Sequence, residues 1–137
     1  MATNISSIII NASTQKVFET LTNPELIKLW QYGRVVTTDW KTGSEIKFRT
    51  EGGGKALEQW GTVLEMRTNE LIRYNLFTPA PNLEDKMENY CITSYVLTKD
   101  EGQTRLELIQ EDNRPNAFAP GTLMPILESL KKIAETN

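Results

Sequence analysis

"NPELIKLW", residues 23–30, follows directly on "STQKVFETLT", residues 13–22, and the corner between the two decides the fold. Pro24 clashes with a continuing helix, and the residue before a proline is driven out of helical angles, so a first helix stops here. Proline is nevertheless favoured at the first position of a helix, asparagine is a strong N-cap, and Glu25 suits the positive end of the dipole. The same two residues therefore end one short helix and begin the next. In the first, spanning roughly residues 14 to 21 with Asn11 and Ser13 as candidate caps, Val17, Phe18 and Leu21 share a face. In the second, Leu26, Ile27 and Trp30 do so, and Gly33 ends the helix or turns the chain just beyond it.

Before this corner, "ISSIII" (5–10) is β-branched and predicts a strand, although three consecutive isoleucines leave its faces unassigned. After it the period changes to two. "RVVTTDW" (34–40), "SEIKFRTE" (44–51), "LEQWGTVLEMR" (57–67), "ELIRYNLF" (70–77), "YCITSYVLT" (90–98) and "TRLELIQED" (104–112) each predict a strand. Short glycine- and asparagine-bearing links make neighbours antiparallel, and one longer break falls at residues 78–89. Ile46 and Phe48 oppose Lys47 and Arg49; Ile72, Tyr74 and Leu76 oppose Arg73 and Asn75; Leu106 and Leu108 oppose Arg105 and Glu107. A sheet with one wet face needs a cover on the other. The cover is "TLMPILESLKKIAETN" (122–137), where Leu123, Ile126, Leu127, Leu130, Ile133 and Ala134 form a helical stripe. Pro125 places the helix start near Thr122 or Leu123. The predicted class is α+β: a curved, antiparallel, seven-stranded sheet wrapped around a long C-terminal helix, with two short helices between the first and second strands.

Composition narrows the function. The 137 residues suit one domain, residues 1–137, and a net charge of −3 gives no basic footprint for nucleic acid. No apolar run reaches the roughly 20 residues of a membrane span, and "MATNISSIII" lacks the pattern of a signal peptide. A single cysteine, Cys91, forms no internal disulfide, which points to a reducing, cytoplasmic setting. There is no histidine, so the Ser-His-Asp triad, the Cys-His dyad and the usual imidazole base are excluded, and a zinc site is not supported. No cofactor is expected.

Other motifs are weak. "EGGGK" (51–55) joins two strands and lacks the helix and hydroxyl of a phosphate loop. Glu84, Asp85 and Glu88 lack calcium-loop spacing and read as a solvated loop over a cavity entrance. "QEDNRP" (110–115) is a turn signal. Tyr74, Tyr90, Tyr95 and Arg49 are the candidates for acid-base work or oxyanion binding, and Arg49 alternates outward.

Ala12, Val17, Phe18, Leu21, Thr22, Pro24 and Trp30, followed by "GTVLE" at 61–65, resemble the START-like (SRPBCC) superfamily, whose fold is called a helix-grip. Within it the chain is most similar to the family named for activators of the ATPase of the 90-kilodalton heat-shock chaperone. Where many relatives begin the last helix with a "GW" pair, this chain has "APGTLMP". The resemblance implies a cavity between sheet and C-terminal helix, with the helical corner at its mouth. Its expected lining is Trp30, Phe48, Trp60, Thr62, Tyr74, Leu76, Ile92, Ser94, Leu108, Gln110, Met124 and Leu127. For each large apolar residue the plain alternative is core packing. For Thr62, Ser94 and Gln110, set on apolar faces, it is a partner within the protein or a water. The leading expectation is a non-catalytic domain that binds a small apolar or aromatic ligand. Its rivals are a chaperone-related protein-interaction module and a cyclase or lyase of the polyketide-cyclase type, for which the sequence offers no polar dyad.

Overall fold

The computed structural model describes residues 2–31, 33–52, 54–112 and 124–136. Strand β1 (Ala2–Ile10) leads into helices α1 (Thr14–Thr22) and α2 (Pro24–Trp30). Six strands follow: β2 (Val35–Thr37), β3 (Glu45–Gly52), β4 (Lys55–Arg67), β5 (Leu71–Leu76), β6 (Cys91–Asp100) and β7 (Gln103–Asp112). A single 3-10 turn at Met87–Asn89 interrupts the β5–β6 connection, and helix α3 (Met124–Thr136) completes the order. The expected start of α3 at Thr122 or Leu123, most of "APGTLMP" and the end of "QEDNRP" lie outside the described residues.

The elbow forms as its residues dictate. The Ser13 side chain accepts from the Lys16 N–H at 3.2 Å and caps α1, while Asn11 instead donates its backbone N–H to Glu135. Asn23 closes α1 through its N–H to the Glu19 carbonyl and opens α2 through its side chain, which accepts from Glu25 N–H at 3.0 Å. Pro24 has no N–H, so the carbonyl four residues earlier, Thr20, has no helical donor. The Trp30 indole N–H supplies one at 2.8 Å. Trp40 does the same for the Thr22 carbonyl at 3.0 Å, its backbone held at a left-handed φ of 60°. Two indoles thus satisfy acceptors that the helix corner orphans.

All strand neighbours are antiparallel, in the order β1-β7-β6-β5-β4-β3-β2. The curved sheet and its three helices form the helix-grip α+β architecture. On the covered face Ile46, Phe48, Val63, Ile72, Tyr74, Leu106 and Leu108 meet Leu127, Leu130 and Ala134 of α3 and Val17, Leu21, Ile27 and Trp30 of the elbow. Each fully buried leucine of α3 contributes about 1.5–3 kcal/mol, enough to hold a helix of this length in place. The C-terminal end of α3 is also tethered: Lys131 donates to the Ile9 carbonyl at 2.8 Å and pairs with Glu135.

Two strands face the opposite way from expectation. In β6 the buried set is Cys91, Thr93, Tyr95 and Leu97, not Ile92, Ser94 and Val96. Register explains this, because opposed residues share a face: Tyr95 lies across from Ile72 and Leu108, whereas Ser94 lies across from Arg73. In β4, Gln59 and Gly61 lie across from Phe48 and Ile46, so Trp60 and Thr62 face outward. A bulge between Val63 and Glu65 then returns Met66 to the covered side, opposite Ile72. At Gly61 an added Cβ would sit 1.9 Å from the Asn75 carbonyl oxygen, while Asn75 Oδ1 accepts from the Thr62 N–H at 2.8 Å. Only glycine fits this crossing.

Two substitutions test the packing. Gly61→Ala is expected to lower stability by at least ~1–3 kcal/mol, because backbone rather than a flexible side chain must move. Trp30→Phe leaves the Thr20 carbonyl buried without a donor, and a further ~1–3 kcal/mol is expected beyond the loss of ring volume. Urea denaturation measures both; wild-type midpoints would show that neither contact matters.

Candidate functional site

Between the covered face of the sheet and helices α2 and α3 lies a partly open cavity of about 200 Å³. Its wall draws Trp30 from α2, Gln31 and Arg34 from the following turn, Gln59 from β4 and Tyr74 and Leu76 from β5. Thr78 beyond β5, Cys91, Thr93 and Tyr95 from β6, Leu108 and Gln110 from β7, and Ile126 from α3 are its other described residues. A wider, more open depression of about 770 Å³ lies beside the β4–β5 hairpin, rimmed by the charged Arg67, Glu70 and Lys99. Only the first combines convergent polar groups with buried aromatic rings, the usual make-up of a ligand site.

Five of the expected lining residues meet there: Trp30, Tyr74, Leu76, Leu108 and Gln110. Phe48 sits one layer behind, its ring 5.7 Å from that of Tyr74. Leu127 is fully buried core, and Met124 packs against the core without reaching the wall. Trp60, Thr62, Ile92 and Ser94 lie on the other face of the sheet. There Trp60 packs at a tilt against Phe77 and Phe77 against Tyr90, and Asp85 accepts from the Trp60 indole and the Tyr90 hydroxyl. Asp85 thereby pins the 78–90 segment to the outer face. Arg49 points outward, as alternation implied, and pairs with Glu51 and Glu58.

Arg34 is the group that sequence reasoning missed. Its guanidinium lies 3.9 Å from the centroid of the Phe48 ring, over its face. One terminal nitrogen donates to Gln31 Oε1 at 2.9 Å and the other to Gln59 Oε1. Gln59 is itself fixed, since its amide donates to Thr78 Oγ1 at 2.8 Å. No described carboxylate forms an ion pair with Arg34. Burial lowers its pKa, with Tyr74 and Tyr95 beside it opposing that shift, yet a guanidinium stays charged throughout the working range. The second unusual group is Gln110 Oε1, which is buried without a hydrogen-bond partner among the described residues.

Tyr95 packs edge-on against Trp30, ring centres 6.4 Å apart, and its hydroxyl shares a hydrogen bond with that of Tyr74. Burial raises the pKa of both phenols, most strongly for Tyr95, where the neighbouring Tyr74 adds to the shift. Both are neutral at pH 7 and serve as hydrogen-bonding groups. The described wall is therefore amphipathic: an aromatic and aliphatic lining, a fixed cation, two neutral phenols and an amide oxygen with no described partner.

The model of the family described as "Activator of Hsp90 ATPase homolog 1-like protein" matches residues 11–132. The chain belongs to this family. No curated protein matches significantly. Among solved structures, protein ChR145 of Cytophaga hutchinsonii is 32% identical with a TM-score of 0.71, covering 96% of this chain and 86% of that one. Protein CV1439 of Chromobacterium violaceum has a TM-score of 0.80 at 20% identity, with 98% of each chain covered. The solution structure of the Aha1 dimer from Colwellia psychrerythraea has a TM-score of 0.69 at 21% identity, covering 99% of this chain and 98% of that one. At those two identities the likeness is one of fold. In this member of the family, the seven matching corner residues include Trp30, which is also a wall of the cavity.

The tyrosines make the site's burial measurable. A phenol whose folded pKa is raised stabilises the native state fully below its unfolded value of about 10. That contribution is lost as pH rises from there through the folded value. Ultraviolet titration should show Tyr74 and Tyr95 ionising only as the fold opens above about pH 10, and Tyr74→Phe with Tyr95→Phe should flatten the alkaline loss of stability. Ionisation of every tyrosine near pH 10 with an intact near-ultraviolet dichroism signal would contradict a buried pair.

Proposed function

We propose that this protein is a small-molecule-binding member of its family, which holds a compact aromatic ligand in the cavity beneath the elbow and performs no covalent chemistry on it. The observation that carries the reading is Gln110 Oε1, a buried acceptor on a residue of the cavity wall that has no hydrogen-bond partner among the described residues. A buried acceptor left unpaired is costly, and a donor brought by a guest removes that cost. Size limits the guest. About 200 Å³ falls below the roughly 300–1,000 Å³ of drug-sized sites. It exceeds the ~150 Å³ that accommodates benzene in an apolar cavity, so one ring with small substituents fits. Of the expected lining, Trp30, Tyr74, Leu76, Leu108 and Gln110 are the proposed contacts. The wall supports an amphipathic guest over a purely apolar one.

The test is a titration with single-ring aromatics followed by amide and indole NMR. Shifts are expected at the Trp30 indole, Thr93 and the Gln110 side chain, with the outer Trp60 indole silent. Saturable shifts confined to the outer face, or none at all, would overturn the reading.

The family description supports a second reading, stimulation of the ATPase of a 90-kilodalton heat-shock chaperone. Mixing the protein with the chaperone of its own organism decides between them. A faster ATPase with unshifted cavity resonances would move the function to the surface.

A further inference from the structure

We propose that the ligand is a compact organic acid, a single ring whose carboxylate pairs with Arg34 and whose hydroxyl or amino group donates to Gln110 Oε1. The inference rests on the cavity reading above and adds the charge and polarity of the occupant.

Three observations converge on it. Arg34 is a partly buried cation whose hydrogen-bond partners among the described residues, Gln31 and Gln59, are neutral amides. A cation drawn into a protein wall calls for an opposite charge or a full set of hydrogen-bond acceptors, and two amide oxygens supply only part of that. Guanidinium carries five N–H groups, of which those two bonds use two, leaving three for other acceptors. The guanidinium is also preset. Phe48 supports its flat face, Thr78 holds Gln59, and Gln31 is fixed by its backbone at the end of α2, donating to the Ile27 carbonyl at 2.8 Å. A rigid planar guanidinium with free N–H groups suits bidentate contact with a carboxylate. Neutral Tyr74 and Tyr95 add hydroxyls rather than competing negative charge.

The second polar group of the same wall is Gln110. Its oxygen accepts only, so the complementary ligand atom must carry hydrogen. Trp30, Leu76, Leu108 and Ile126 supply the apolar lining of the same cavity. An anion at one position and a donor at another define a substituted aromatic acid, and the volume limits it to one ring.

Isothermal titration with benzoate, 4-hydroxybenzoate, 3-hydroxybenzoate, benzamide and benzylamine separates the claims. Wild-type protein should bind a hydroxybenzoate about tenfold or more tighter than benzamide, and benzylamine least. In Arg34→Gln the preference for acid over amide should vanish while benzamide binding persists. Arg34→Lys, which keeps the charge without the fork, should fall between the two and serves if the glutamine variant does not fold. Gln110→Met should erase the advantage of hydroxybenzoates over benzoate and leave the benzoate-to-benzamide ratio unchanged. Benzamide bound as tightly as the acids, or acid binding untouched in Arg34→Gln, overturns this inference while leaving the cavity reading intact. Failure of every aromatic to bind overturns both.

Discussion

The hydrogen bond from the Trp30 indole to the Thr20 carbonyl, 2.8 Å long, is the constraint from which the rest of the structure follows. It exists because Pro24 removes the backbone donor that Thr20 would otherwise meet. A buried acceptor without a partner destabilises a fold by more than a typical hydrogen bond stabilises it, so the indole is held to one position. That position closes α2 back onto the last turn of α1 and leaves Trp30 1% exposed. It also sets one face of the ring against Tyr95, at the rim of the cavity. The residues that follow, Gln31 and Arg34, are thereby delivered to the cavity wall rather than to solvent.

The interior divides into two regions of different character. Away from the cavity, α3 sinks Leu127, Leu130 and Ala134 against aliphatic side chains, and burial supplies the cohesion there together with the Lys131 and Glu135 tether. Beneath the elbow the cavity wall presents a cation, two phenols and an amide oxygen with no partner among the described residues. Such features work against stability and are kept at functional sites. The outer cluster of Trp60, Phe77, Tyr90 and Asp85 has the opposite character, since the polar tips of Trp60 and Tyr90 both meet Asp85. It fastens a loop and leaves nothing for a ligand to complete.

Much of the architecture was legible in the chain. The proline corner, the strand sequence, the long final helix and the inward sets of β3, β5 and β7 all follow from local chemistry and period-two alternation. Faces failed where that alternation carries no information. "YCITSYVLT" places apolar or small residues at both parities, so only its register against β5 and β7 assigns Tyr95 inward. In β4 the crossing of Gly61 by Asn75 and the bulge after Val63 break the period, and neither is visible before its partner strand is known. Gln110 was recovered because it continues the unambiguous Leu106–Leu108 alternation. Arg34 was not, because a long cation just after a helix is ordinarily solvated. Its burial depends on Phe48 and Gln59, brought near by pairing of distant segments. Family membership was legible from the elbow itself, which both shapes the fold and carries the matching residues.

Native-state hydrogen exchange of the Trp30 indole proton tests the central claim most directly. A proton donated to the Thr20 carbonyl in a closed elbow should exchange only through global unfolding, among the slowest in the molecule. Exchange at the rate of a free indole, with the sheet amides still protected, would show that the elbow is open and that the cavity is not built as described.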